Sequence, residues 1–189
     1  MRLAYGCFLI LVLSATGFTA TYYVPDDYST IQEALNCSVN GDIIVVRPGT
    51  YVENIDFMGK AVLLTSEVGA TTTVIDGNRA GSVVSFRNGE STNSVLDGFT
   101  ITNGYNGHGG GINCSHTSPS ITNNIITKNE VGAGGGGIRC LNASPIIVNN
   151  IISENISTIG DYMSGGGINC YSSVYPWPTA PLISNNIIY

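Results

Sequence analysis

Apolar residues along this chain come in short runs, and Gly, Asn, Ser or Pro closes each run. In the second half no run reaches the roughly ten periodic residues that a helical repeat requires, so the pattern predicts short strands joined by turns. The first half follows the same grammar. Strands are expected at residues 42–47, 62–66, 73–75 and 82–86, with turns at Arg47-Pro48-Gly49 and Asp76-Gly77-Asn78. One stretch differs. Residues 29–36 put Ile31, Ala34 and Leu35 on one helical face, and Ser29 with Gln32 forms a capping box.

The runs also repeat. Gly109-Gly110-Gly111-Ile112-Asn113-Cys114 returns as Gly135-Gly136-Gly137-Ile138-Arg139-Cys140 and again as Gly165-Gly166-Gly167-Ile168-Asn169-Cys170. A second block trails each copy and carries Asn123, Asn149 and Asn185 before a pair of isoleucines; Asp97, 26 residues before Asn123, extends it to four copies. Asn103, Asn129 and Asn155 recur at the same spacing of 26. Such a repeat means one unit stacked on copies of itself, here a coil of short parallel strands about 4.8 Å from the next. Period two points Ile112 and Cys114 into the coil and Asn113 out, and the arginine at the equivalent position 139 is expected to face solvent. In-register Asn123, Asn149 and Asn185 are expected to form an amide ladder, and Cys114, Cys140 and Cys170 a second column. Longer spacings later in the chain predict loops leaving the coil at 156–164 and 172–179. The helix over 29–36 is expected to cover the first coil. No such cap precedes Tyr189, so the chain is expected to be truncated within a longer solenoid or to pair its last edge with another chain.

Composition narrows the function classes. Only 11% of residues are charged, the net charge is −6, and the 7 basic residues are scattered, which excludes a nucleic-acid partner. Arg2, an apolar stretch over 7–13 and small residues after it read as a secretory signal over 1–20, leaving a β-helix domain over 21–189 with no membrane span in the mature chain. Export permits disulfides, and Cys37, Cys114, Cys140 and Cys170 allow three pairings; the competing reading makes them buried apolar side chains. No metal site is expected, because no CxxC or histidine cluster accompanies them.

Three segments then carry a resemblance. Thr30-Ile31-Gln32-Glu33-Ala34-Leu35, Gly41-Asp42-Ile43-Ile44-Val45-Val46 and Pro48-Gly49-Thr50-Tyr51-Val52-Glu53 resemble the opening of the pectin lyase-like superfamily, and the Asn-Asn-Ile-Ile blocks resemble its repeats. The resemblance implies an all-β fold, a right-handed parallel β-helix (solenoid) with a short N-terminal capping helix. It does not imply one activity, since pectate lyases, pectin esterases, polygalacturonases, phage tailspikes and adhesins share that architecture.

Candidate chemistry follows from single motifs. Gly49 to Glu53 resembles the GxYxE element of pectin methylesterases, whose further aspartate and Gly-Arg-Pro-Trp motifs are missing. Gly107-His108-Gly109 resembles a polygalacturonase motif without its neighbouring aspartates. A uronate lyase needs a base and Ca²⁺-binding carboxylates; Glu90, Asp97, Glu130, Glu154 and Asp161, with Lys128 and Arg139, are the ionisable candidates. Glu130 and Glu154 fall near equivalent turns, either as an exposed acid pair or as solvated loop charges. Tyr171, Tyr175 and Trp177 form either an aromatic platform for sugar rings or a loop folded back on the coil. The expected function is a secreted or cell-surface, non-catalytic module presenting a solenoid face to polysaccharide or protein, without cofactor. The alternative is a uronate lyase, using Ca²⁺, with part of its site outside this chain.

Overall fold

The computed structural model describes residues 19–159, 165–173 and 179–189. The expected signal peptide lies outside these residues apart from its last two positions. The chain winds into a parallel β-solenoid of about six turns. One long sheet stacks β1 (Thr21–Val24), β2 (Ile43–Val46), β5 (Leu63–Ser66), β8 (Val95–Asp97), β12 (Ser120–Thr122), β16 (Ile146–Val148) and β20 (Leu182–Ser184). A second stacks β3 (Gly49–Val52), β6 (Thr73–Asp76), β9 (Thr100–Thr102), β13 (Ile125–Thr127), β17 (Ile151–Ser153) and β21 (Ile187–Ile188). A third holds β4 (Ile55–Asp56), β7 (Val84–Phe86), β11 (Ile112–Ser115), β15 (Ile138–Leu141) and β19 (Ile168–Tyr171). A short corner sheet holds β10 (Tyr105–Asn106), β14 (Glu130–Val131) and β18 (Ile156–Ser157).

Alternation fills the interior. Ile44, Leu64, Leu96, Ile121 and Ile147 of the first sheet meet Ile75, Ile101, Ile126 and Ile152 of the second, all fully buried. Each such side chain stabilises the coil by about 1.5–3 kcal/mol. Ile112, Cys114, Ile138 and Cys140 complete the wall from the third sheet. Cys114, Cys140 and Cys170 pair in register, and all four described cysteines are free thiols. The adjacent Cys114 thiol, with burial, holds the Cys140 thiol well above its ordinary pKa.

The glycine triplets are explained by space. A Cβ on Gly110 would stand 2.6 Å from the Gly136 carbonyl oxygen, and one on Gly136 the same distance from that of Gly166. Coils touch backbone to backbone at this corner, which excludes a side chain.

The asparagine column runs one residue further along than Asn123, Asn149 and Asn185. Those three are exposed, in left-handed backbone with φ of 56°, 59° and 56°. Turning the corner brings the following residue inward. The Asn124 N–H and Nδ2 both donate to Asn150 Oδ1 (2.9 and 3.1 Å), and Asn150 donates in the same way to Asn186 Oδ1. Asn124 and Asn150 are buried and fully bonded, as buried amides must be. A second pair, Asn129 and Asn155, repeats the arrangement at the next corner.

The coil that precedes Asn123 is one residue shorter than the spacing of 26 suggests. Leu96 pairs with Ile121, and the Phe99 N–H reaches Asn124 Oδ1 across 25 residues. Gly98 therefore occupies the corner of Asn123, with φ of 78°, and a Cβ there would lie 2.6 Å from Ser66 Oγ. By the same shift Gly104, not Asn103, stands level with Asn129; its N–H donates to Asn129 Oδ1. The expected loop at 156–164 also starts later, because Thr158 and Ile159 still bond back to Val131 and Gly132.

The helix α1 (Ile31–Cys37) buries Ile31, Ala34 and Leu35, the face that the sequence indicates. Its cap is Thr30 rather than Ser29, with Thr30 Oγ1 accepting the Glu33 N–H at 3.1 Å. Glu53 adds a carboxylate at the same end, accepting from the Ile31 and Gln32 N–H groups at 3.0 Å each. Gln32 is thereby released to pair with the Asp56 backbone. The helix covers the coil at the edge formed by β1 and β4.

Candidate functional site

Three coils turn a second left-handed corner between the second sheet and the corner sheet. In three successive coils its corner residue is Asn103, Lys128 and Glu154, with φ of 56°, 56° and 54°. The strands before them fix this register, Ile101 pairing with Ile126 and Ile126 with Ile152. The next residue, Gly104, Asn129 or Asn155, turns inward to the amide pair. The one after that points out again and places Tyr105, Glu130 and Ile156 level with one another. Two rows of outward side chains therefore run along the stacking direction, with Asn129 and Asn155 between them. Together with Arg79 from the preceding coil, all of these but Tyr105 wall an open cleft of about 450 Å³.

The charges in this cleft differ in their engagement. Arg79 donates to a Glu130 carboxylate oxygen at 2.8 Å and lies over the Tyr105 ring, 4.6 Å from its centroid. An exposed pair of this kind contributes little to stability. Asn103 Nδ2 donates to Asp76 at 2.8 Å. Lys128 and Glu154 have neither a hydrogen-bonded nor an ion-paired side-chain partner among the described residues. Arg79, Lys128 and Glu154 all sit in left-handed backbone. That conformation costs a residue with a side chain about 1–2 kcal/mol. The cleft thus offers an ammonium and a carboxylate on successive coils, above a floor whose amides are already committed.

The remaining sequence candidates separate on this geometry. Glu130 and Glu154 do share one cleft, but they are not equivalent: Glu154 stands level with Lys128, and Glu130 with Ile156. Glu90 is buried and accepts from the Gly59 and Asn88 N–H groups, so it shapes a loop. Asp97 accepts from Thr65, Thr122 and Asn123. Asp161 lies outside the described residues. Arg139 points outward yet is only 7% exposed, which corrects the solvent-facing expectation. It is covered by neighbours on the coils either side, donating to Asn113 Oδ1 and the Tyr171 hydroxyl and stacking on the Tyr171 ring. Tyr171 is engaged by that arginine, while Tyr175 and Trp177 lie outside the described residues. His108 is exposed beside a corner and has no carboxylate partner among the described residues. The Gly49–Glu53 element is structural here: Glu53 caps the helix, and the Tyr51 hydroxyl donates to the Arg47 carbonyl at 3.0 Å.

Sequence reasoning missed Arg79, Asn103 and Ile156 as cleft residues. Aligning the coils on Ile101, Ile126 and Ile152 would have found the corner, because that alignment puts Lys128 and Glu154 where the neighbouring coil has Asn103. Among the described residues no group of three or more His, Cys, Asp or Glu is placed to hold a metal ion, and no helix is long and apolar enough to cross a membrane. No protein-family model matches the sequence, and no curated protein matches it significantly.

Proposed function

We propose that this chain is a secreted or cell-surface β-solenoid module of the pectin lyase-like kind that binds polysaccharide in the Lys128–Glu154 cleft without turning it over. The observation that carries the reading is a pair of charged side chains, unpartnered among the described residues, held in costly left-handed backbone at the mouth of an open groove. Strain kept at an exposed position without compensating contacts points to function. The groove runs along the stack, so it suits an extended polymer. The Arg79–Glu130 pair favours binding over catalysis, since it occupies the carboxylate nearest to Glu154's row with a guanidinium rather than leaving it to exchange a proton.

The uronate lyase alternative draws on the same cleft, where Lys128 would serve as base. One experiment separates the two. The protein is incubated with pectate, alginate and neutral polysaccharides, with and without Ca²⁺, while retention and the absorbance of unsaturated uronate are followed. Retention that Lys128→Ala and Glu154→Ala abolish, with flat absorbance, supports the binding module. Calcium-dependent growth in absorbance sinks it in favour of the lyase.

A further inference from the structure

The charge arrangement in the cleft says which polysaccharide it takes, on the assumption that the polysaccharide reading holds. Arg79 and Lys128 are balanced by Glu130 and Glu154, and the first of each is already neutralised by the other at 2.8 Å. What remains for a ligand is one ammonium and one carboxylate, carried by successive coils whose backbones lie about 4.8 Å apart. A polyanion would gain at Lys128 and lose at Glu154. It would also approach a chain of net charge −6, whose far field repels it. A hydroxyl group has no such conflict. It accepts from the ammonium at one position and donates to the carboxylate at the next, and both bonds are charge-assisted.

The second row adds an apolar component. Tyr105 and Ile156 are 45% and 55% exposed and flank Glu130 in register. Ile156 lines the cleft and suits the C–H face of a pyranose ring, with the edge hydroxyls directed to Lys128 and Glu154 across the floor, while the Tyr105 ring carries Arg79 outside the cleft wall. The floor does not compete for those hydroxyls, because Asn129 and Asn155 spend their amides on each other and on the Ile101 and Ile126 carbonyls. We infer that the cleft recognises an uncharged, hydroxyl-rich polysaccharide lying along the solenoid axis, and that Glu154 is the residue that turns polyuronates away.

The test is titration calorimetry of the full chain with soluble hexasaccharides of matched length: neutral β-1,4-linked glucose, xylose and mannose oligomers against hexagalacturonate. At least one neutral probe is expected to bind roughly tenfold more tightly than hexagalacturonate. Lys128→Gln and Glu154→Gln are each expected to weaken that probe by roughly tenfold, since each removes a charge-assisted bond. Glu154→Lys makes the cleft positive and is expected to move the preference to hexagalacturonate, a gain that misfolding cannot mimic. Tighter binding of hexagalacturonate than of every neutral probe by the unmodified chain overturns the inference and leaves the polysaccharide reading standing. If no hexasaccharide binds, the polysaccharide reading itself fails, and this inference with it.

Discussion

Two corners of the same coils are built to the same backbone turn and filled in opposite ways. Between the first and second sheets the left-handed position is Gly98, Asn123, Asn149 and Asn185, residue types that tolerate positive φ. Between the second sheet and the corner sheet it is Asn103, Lys128 and Glu154. From Asn123 and Lys128 onward, each corner is followed by an asparagine that bonds the coil before it, so the architecture makes the same demand of both. The first corner answers the demand of the backbone alone. The second accepts a backbone cost at Lys128 and Glu154 and spends it on charges with no hydrogen-bonded or ion-paired partner among the described residues, which is how a site differs from a scaffold.

The comparison can be broken most severely from within. Asn150→Ala should cost about 2–4 kcal/mol, because it strips partners from the buried Asn124 N–H and the Ile121 carbonyl together. Equilibrium unfolding in urea measures it, and a loss under about 0.5 kcal/mol would show that water replaces the column. Asn149→Ala, at the exposed left-handed position of the first corner, should cost about 1 kcal/mol, the difference between a tolerant and an intolerant side chain. The sharpest contrast is the smallest. Lys128→Gly and Glu154→Gly should each raise stability by roughly 0.5 kcal/mol, since relief of the left-handed cost of about 1–2 kcal/mol outweighs the added chain entropy of glycine. Both should abolish binding while raising Tm. A fall in Tm for either variant would mean that the side chain supports the fold after all.

The coil architecture was legible because its causes are periodic. Inward Ile112, Ile138 and Cys140, the apolar helix face and the stacking of equivalent blocks all follow from side-chain alternation and repetition. What sequence could not separate were adjacent residues of one type. In Asn123-Asn124 one residue turns the corner and the other enters the core, and only the backbone distinguishes them. A coil one residue shorter than its neighbours made Asp97 look equivalent to Asn123, when Gly98 holds that place. Arg139 reads as solvent-exposed from its outward register, but in a stacked sheet its neighbours above and below, Asn113 and Tyr171, can cover it. The cleft was half legible. Lys128, Glu130 and Glu154 stand out as charges in a chain with few, whereas Arg79 joins them from the preceding coil, and no local pattern in the sequence brings it there.

The buried amides have a direction, and that direction bears on assembly. Asn124, Asn129, Asn150, Asn155 and Asn186 each reach back to a carbonyl of the preceding coil and accept one of its N–H groups. A coil is therefore incomplete until its successor arrives, and the successor fits in one register only. A strand that threads one residue out of step presents Ile125, Glu130, Ile151, Ile156 or Ile187 in one direction, and Lys128 or Glu154 in the other, to polar groups that have just lost their water; only at the first corner does a slip bring another asparagine, Asn123, Asn149 or Asn185, into place. Growth from the helix-covered end then proceeds by templating, and the lone asparagines of the second corner, Asn129 and Asn155, work as checkpoints that reject a slipped coil before the next is laid on top.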